Sequence, residues 1–219
     1  MLAVNEMFLS IQGESKFTGT PAVFIRLQGC GVGCGWCDTK HTWLRETKNK
    51  IGLSSLIAKT EDAPTYARLS PDTIMKEIQR LAPDYPAHVV ITGGEPLEQD
   101  LLPLVRHIAK NRHTIQIETS GTVKIPEALK YHAFITVSPK IGMNRPVLKQ
   151  ALQQADEIKV PVGSVKDIYW VKANLGKMRT PIWLQPLSTS KKATALCVET
   201  AMEYGYKVSL QTHKYLNVR

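Results

Sequence analysis

Three of the four cysteines fall within eight positions, Cys30, Cys34 and Cys37 in "GCGVGCGWCDTK", and the fourth, Cys197, lies far away. Thiols clustered this way are metal ligands or redox groups, and three are one short of the four that a closed tetrahedral site takes. Two metal chemistries fit. A four-iron cubane offers four corners to thiolates, so three cysteines leave one iron open to an outside ligand. Alternatively, His41 completes a Cys-x3-Cys-x2-Cys-x3-His set of the kind that holds structural zinc. A redox dithiol needs only one Cys-x2-Cys pair and leaves Cys30 unexplained. Glycines 29, 31, 33 and 35 alternate through the stretch and let the backbone wrap closely around a bulky group. Cys197, among Ala195, Leu196 and Val198, reads as a small buried apolar residue.

These residues need a frame. Seven short β-rich runs end in polar or glycine-containing turns: 22–29, 88–96, 115–121, 134–140, 156–162, 182–188 and 207–213. Between many of them lie helical patterns. "SPDTIMKEIQRLA" has a Ser-Pro start and sets Ile74, Ile78 and Leu81 on one face. "TSKKATALCVETAMEYG" closes on Gly205, a C-cap candidate. Strands alternating with helices give βαβ units, hence an α/β fold with a parallel sheet. Six or seven strands are too few for a closed eight-stranded barrel, which leaves an open, partial parallel β/α barrel formed by a single domain over 1–219. Its chemistry gathers at the carboxyl ends of the strands. Residues 44–69 break the rhythm and read as an inserted excursion with one short helix.

Composition excludes little else. The chain has 219 residues, 43% hydrophobic and 21% charged, as in a soluble globular protein. No apolar run reaches the roughly 18 residues of a membrane span. The N-terminal stretch does not read as a signal peptide, which makes the cytoplasm the expected compartment and reduced thiols the expected state. The net charge of +9 is spread over several short basic stretches. Without a nucleic-acid motif, that spread reads as a solvated surface, and no direct nucleic-acid binding is expected.

The cysteine spacing, with Trp36 before the last cysteine, resembles the radical S-adenosylmethionine enzymes, and "ITGGEP" (91–96) matches that family's Gly-Gly-Glu element at the end of a core strand. The resemblance narrows through "MFLSIQGE", "FIRLQGC", "WCDTKHTW", "IETSGT", "VSPK", "EIKVPVG" and "LQTHKYLN". Together these look like the 7-carboxy-7-deazaguanine synthase family along nearly the whole chain. The family's reaction contracts the ring of 6-carboxy-5,6,7,8-tetrahydropterin to 7-carboxy-7-deazaguanine, releasing ammonia, in queuosine-precursor biosynthesis. A radical derived from S-adenosylmethionine initiates it, and the cofactor is regenerated. No catalytic side chain is implied beyond that radical.

By this resemblance Cys30, Cys34 and Cys37 hold a [4Fe–4S] cluster. Trp36, Cys37, Asp38, Gly93, Gly94, Glu95, Glu118, Ser120, Ser138, Pro139 and Lys140 form the S-adenosylmethionine pocket, with Gln185, Pro186, Leu187 and Ser188 as a further wall. Ile11, Gln12, Gly13, Glu14, Arg26, Thr92 and His213 meet the pterin, Arg26 pairing its carboxylate. Thr39 is a Mg2+ ligand, although sequence alone reads it as a capping residue. A flavodoxin-type electron donor and a homodimer are implied. Two rivals stay open. A radical enzyme that activates a partner protein would share both motifs without needing "IQGE". A zinc-stabilised, basic RNA-binding protein would be colourless, hold one zinc and bind RNA with a salt-sensitive affinity.

Overall fold

A computed structural model describes residues 1–187 and 190–218. The strands among them are β1 (Leu2–Ile11), β2 (Pro21–Leu27), β3 (Ala67–Leu69), β4 (His88–Gly93), β5 (Thr114–Thr119), β6 (Phe134–Val137), β7 (Glu157–Val162), β8 (Ile182–Pro186) and β9 (Lys207–Val208). They form one sheet in the order β3-β1-β2-β4-β5-β6-β7-β8-β9. Each pair from β2 to β9 is parallel. β1 runs antiparallel to both of its neighbours.

The seven parallel strands coincide with the seven apolar runs. β1 and β3 do not announce themselves in the sequence. β1 is buried on both faces through its first half, so it lacks the alternation that marks a half-exposed strand. β3 is three residues at the end of the polar segment 44–69. That segment does carry a short helix, α1 (Leu53–Ile57), but it is stapled to the sheet. Buried Asn5 donates from Nδ2 to the Ala63 and Thr65 carbonyls at 2.9 and 3.0 Å and to Gln28 Oε1 at 2.6 Å. Lys59 Nζ adds bonds of 2.9 Å to Asn5 Oδ1 and to the Ala63 carbonyl. Leu56, Tyr66, Ala67 and Leu69 are buried as a result. The last apolar run is a strand only to Val208, after which the chain turns into α8 (Thr212–Leu216).

The other helices are α2 (Pro71–Leu81), α3 (Leu102–Lys110), α4 (Glu127–Lys130), α5 (Lys149–Gln154), α6 (Val165–Leu175) and α7 (Lys191–Tyr204). Ser70 caps α2 by accepting from the Thr73 amide at 3.1 Å. Gly205 ends α7 at φ +71, the left-handed conformation that glycine tolerates. None of the described helices is long and apolar enough to cross a membrane.

Side chains alternate across each strand. Val89, Ile91, Ile115, Ile117, Ile135, Val137, Ile158 and Val160 share one apolar core with α2, α3, α5 and α6. The opposite row is polar: His88, Thr92, Gln116, Glu118, Thr136, Glu157 and Lys159. The sheet curls around that polar row. Residues after β1, near one edge, bond to residues after β9 at the other: Ser15 donates its amide to Ser209 Oγ (2.9 Å) and Thr212 to the Gly13 carbonyl (2.9 Å). The chain ends thus draw an open sheet into a partial barrel with that polar row inside.

Candidate active site

The carboxyl ends of the strands open into one cleft of about 1480 Å³, its mouth included.

One end of the cleft is the loop after β2. Cys30, Cys34 and Cys37 all line it, with Trp36, Asp38 and Thr39. Backbone bonds fix the loop: Gly29 and Cys30 donate to the Thr42 and Trp43 carbonyls at 2.6 and 3.0 Å, and Cys37 to that of Cys34 at 3.1 Å. Burial pushes the Cys30 and Cys34 thiols up, and Cys37 and Cys30 raise Cys34 further against the opposing pull of Lys140. A raised thiol pKa makes ligation proton-coupled, since the metal must displace the proton. His41 is elsewhere. It does not line the cleft, and its Nε2 sits 3.9 Å from Asp62 Oδ1. Among the described residues no three His, Cys, Asp or Glu side chains converge as ligands of one ion. The three cysteines share one wall from which His41 is missing, which does not fit a Cys3His zinc site.

The Gly-Gly-Glu turn after β4 explains itself at close range. Gly93 has φ +124, and a Cβ there would stand 2.2 Å from the Leu27 nitrogen; at Gly94 it would stand 2.1 Å from the Gly29 carbonyl oxygen. Gly94 and Glu95 donate to the Leu27 and Gly29 carbonyls, both at 2.9 Å. The glycines let the turn lie directly on the cysteine loop and also line the cleft. Glu95 is not in the cleft wall. At 1% exposure it accepts from Thr119 Oγ1 (2.7 Å), the Ser120 amide (2.8 Å), Ser120 Oγ and the Leu97 amide (3.0 Å), tying the ends of β4 and β5 together.

Ser120, Ser138 and Lys140 reach the cleft; Pro139, between the last two, does not. Lys140 Nζ donates to Ser138 Oγ at 2.9 Å and lies 5.0 Å from the centre of the Trp36 ring. Burial lowers its pKa, partly countered by Cys34 and Asp38. Gln185, Pro186 and Leu187 form the facing wall, and Ser188 lies outside the described residues.

The deep end is built around a residue that sequence reasoning did not single out. Lys159, on the polar row of β7, contacts Glu14 Oε2 and donates to Glu118 Oε1 at 3.2 Å. Glu14 also accepts from Gln211 (2.9 Å) and Gln185 (3.2 Å), and Glu118 from Thr92 Oγ1 (3.2 Å) and Gln12 Nε2 (3.3 Å). Glu118, expected with the cofactor, therefore sits among the residues expected to meet the pterin. Burial opposes charge on Lys159, but the two carboxylates outweigh it and raise the pKa. Burial likewise works against the Glu14 carboxylate, and Lys159 and its hydrogen bonds hold the pKa down to about 2. The sequence did hold a signal for Lys159: Glu157 and Lys159 alternate on one face of an otherwise apolar strand, where charge without a role is costly.

Ile11, Arg26 and His213 line the same end. Burial lowers the His213 pKa. Gly13 lies just behind, where a Cβ would meet the His213 ring at 2.2 Å. Arg26 donates from Nε to buried Glu6 at 2.6 Å, so a structural ion pair aims a side chain that also borders the cleft. Phe8 and Phe24, stacked at 5.1 Å and 8°, add a flat apolar wall. Thr39 makes no capping bond with its side chain; its Oγ1 faces Cys37 Sγ at 3.5 Å.

The charge array makes a pH prediction. A carboxyl whose pKa falls on folding stabilises the fold above its unfolded pKa of roughly 4.3. For Glu14 that contribution is lost as pH falls from there through about 2. The Lys159 shift is of the raising kind, whole below the unfolded value of roughly 10.4 and lost only as pH climbs beyond it. Urea midpoints of the wild type should therefore fall more steeply below about pH 4 than those of Glu14→Gln. Parallel acid limbs would contradict the array.

A partial barrel with three cysteines after its first parallel strand and a Gly-Gly-Glu turn after its second defines a class: the chain belongs to the Radical SAM superfamily, whose pattern matches residues 24–151. That family carries a [4Fe–4S] cluster and S-adenosylmethionine. Within it, the chain belongs to the 7-carboxy-7-deazaguanine synthase family. It is 47% identical to the 7-carboxy-7-deazaguanine synthase of Escherichia coli strain K12 over 98% of each chain. Identity to that of Buchnera aphidicola subsp. Schizaphis graminum is 38%, over 99% of this chain and 98% of the relative. The fold is similar to the crystal structure of QueE from Escherichia coli, with a TM-score of 0.89 and 46% identity over 96% of this chain and 93% of that one.

Proposed function

We propose that the chain is a carbon–nitrogen lyase that turns 6-carboxy-5,6,7,8-tetrahydropterin into 7-carboxy-7-deazaguanine and ammonia. The observation that carries this reading is one cleft with two unlike ends: a wall of thiols and glycine backbone, and a Glu14–Lys159–Glu118 array centred on a buried lysine. Cys30, Cys34 and Cys37 are the cluster ligands. When bound, the cluster and S-adenosylmethionine supply the one-electron chemistry that starts the rearrangement. The protein supplies placement and exclusion of water.

Gly93 and Gly94 admit the cofactor's amino end to bare backbone, and Trp36, Asp38, Ser120, Ser138, Lys140, Gln185, Pro186 and Leu187 enclose the rest. Ile11, Gln12, Glu14, Thr92, Glu118 and His213 hold the heterocycle. A carboxylate has two acceptor oxygens in a plane, and a guanidinium offers a matching fork, so Arg26 takes the substrate carboxylate. Mg2+ is a hard ion that keeps several oxygen ligands, and Thr39 Oγ1 beside Cys37 offers one between the two ends. A flavodoxin-type reductant, a homodimer and a cytoplasmic setting complete the reading.

The test is anaerobic reconstitution, followed by reductant, S-adenosylmethionine and the carboxytetrahydropterin. Iron–sulfur absorption and a deazaguanine product are expected; cofactor cleavage without that product would overturn the assignment. Thr39→Ala should keep the cluster spectrum and lose stimulation by Mg2+. Undiminished stimulation would remove Thr39 from that role.

A further inference from the structure

Below the cleft runs a string of buried polar side chains that the proposed reaction leaves unused: His88, Gln116, Thr136 and Glu157, each less than 9% exposed. Its direction is fixed from one end. A carboxylate only accepts, and a threonine hydroxyl has a single proton to give. Thr136 Oγ1 lies 2.9 Å from Glu157 Oε1 and gives that proton there. Toward Gln116 Nε2, 2.8 Å away, the same oxygen must then accept. This turns the amide of Gln116 so that its carbonyl oxygen faces away from Thr136. There Oε1 meets Gln12 Nε2 at 3.0 Å and His88 Nε2 at 3.2 Å, and both must donate.

The consequence reaches the cleft. Gln12, held with its NH2 group inward, sets that nitrogen 3.3 Å from Glu118 Oε1 and accepts the Glu14 amide on its own oxygen at 3.2 Å. A reversed Gln12 would present an oxygen to the Glu118 carboxylate and a donor to the Glu14 amide, two mismatches at once. We propose that Thr136 and Glu157 are positioning residues: acting through Gln116, they reinforce from below the direction of the Gln12 amide that Glu118 and the Glu14 amide require from above, and so steady the orientation in which Glu118 meets the substrate. The inference rests on the reading of Gln12 and Glu118 as substrate-side residues.

The string has an internal reporter. With Gln116 Oε1 facing it, His88 carries its proton on Nε2 and accepts from Thr114 Oγ1 at Nδ1, 2.9 Å away. Thr136→Val keeps the shape and removes the hydroxyl, so Gln116 Nε2 loses its acceptor and its direction rests on Gln12 alone. Thr136→Ser keeps the hydroxyl. Histidine 15N spectra of the holoprotein with oxidised cluster should show the Nε2–H tautomer of His88 in the wild type and in Thr136→Ser, and a shift toward Nδ1–H in Thr136→Val. In turnover, Thr136→Val should raise KM for the carboxytetrahydropterin about tenfold, the worth of one hydrogen bond, with kcat within about threefold. Thr136→Ser should return KM to within about threefold of wild type. A wild-type tautomer and KM in Thr136→Val would overturn the inference. So would a Thr136→Ser variant as impaired as Thr136→Val, which would mark Thr136 as packing alone. A wild type that never turns over the pterin would defeat the proposed function instead, and the tautomer comparison would still decide the direction of the string.

Discussion

Lys159→Met is expected to cost about 3–5 kcal/mol of folding stability, the range for removing one partner of a buried ion pair. Turnover of the pterin should fall more than a hundredfold. Lys159 is 3% exposed and is the cation between Glu14 and Glu118. Without it two partly buried carboxylates face one another at the cleft wall, with neutral amides and a hydroxyl as their remaining donors among the described residues. Methionine nearly matches the length of the lysine stem, so the loss reports charge and not volume. A second substitution separates the two: Glu14→Gln in the Lys159→Met background removes one of the stranded charges and should recover part of the stability without recovering turnover. Urea denaturation of the single and double variants reads the first effect, and product formation the second. A single variant within about 1 kcal/mol of wild type, the worth of an exposed pair, would mean that the array is better hydrated than its burial implies.

Gly94→Ala is expected to prevent stable iron binding. The added Cβ would lie 2.1 Å from the Gly29 oxygen, 2.7 Å from its carbonyl carbon and 3.1 Å from Cys30 Cβ. The two closest are main-chain atoms of the cysteine loop, so nothing flexible can step aside. Relief requires breaking the 2.9 Å bonds that Gly94 and Glu95 make to the Leu27 and Gly29 carbonyls, which moves Cys30. Iron per chain after anaerobic reconstitution should fall to a trace of the wild-type value, because a cluster needs its ligands preformed in place. Gly52→Ala is the control, because a Cβ there meets nothing within 4 Å. Normal iron content in Gly94→Ala would show that the loop yields at little cost.

What could be read from the sequence divides along physical lines. The cysteine loop was legible because its three ligands are local, and the parallel strands because each is a short apolar run with a turn behind it. The Gly-Gly-Glu turn was legible as a motif, but its reason was not: its glycines answer to backbone more than sixty residues earlier in the chain. Lys159 escaped notice because Glu14 and Glu118 lie 145 and 41 residues from it, and only the curl of the sheet brings them together. Arg26 is a similar case. Its partner Glu6 sits directly opposite on β1, a strand that the sequence hides because both of its faces are buried. His41 shows the converse: its spacing suited zinc, yet its Nε2 lies 3.9 Å from Asp62 and it does not line the cleft with the thiols.

Catalytic use of S-adenosylmethionine within the two-ended cleft is tested most directly by stoichiometry. Anaerobically reconstituted protein is given reductant, excess carboxytetrahydropterin and less S-adenosylmethionine than pterin, and 7-carboxy-7-deazaguanine and methionine are counted by mass spectrometry. Several deazaguanines should form for each S-adenosylmethionine supplied, with methionine held at a trace. One methionine released per product, or cofactor cleavage with no deazaguanine at all, would contradict it.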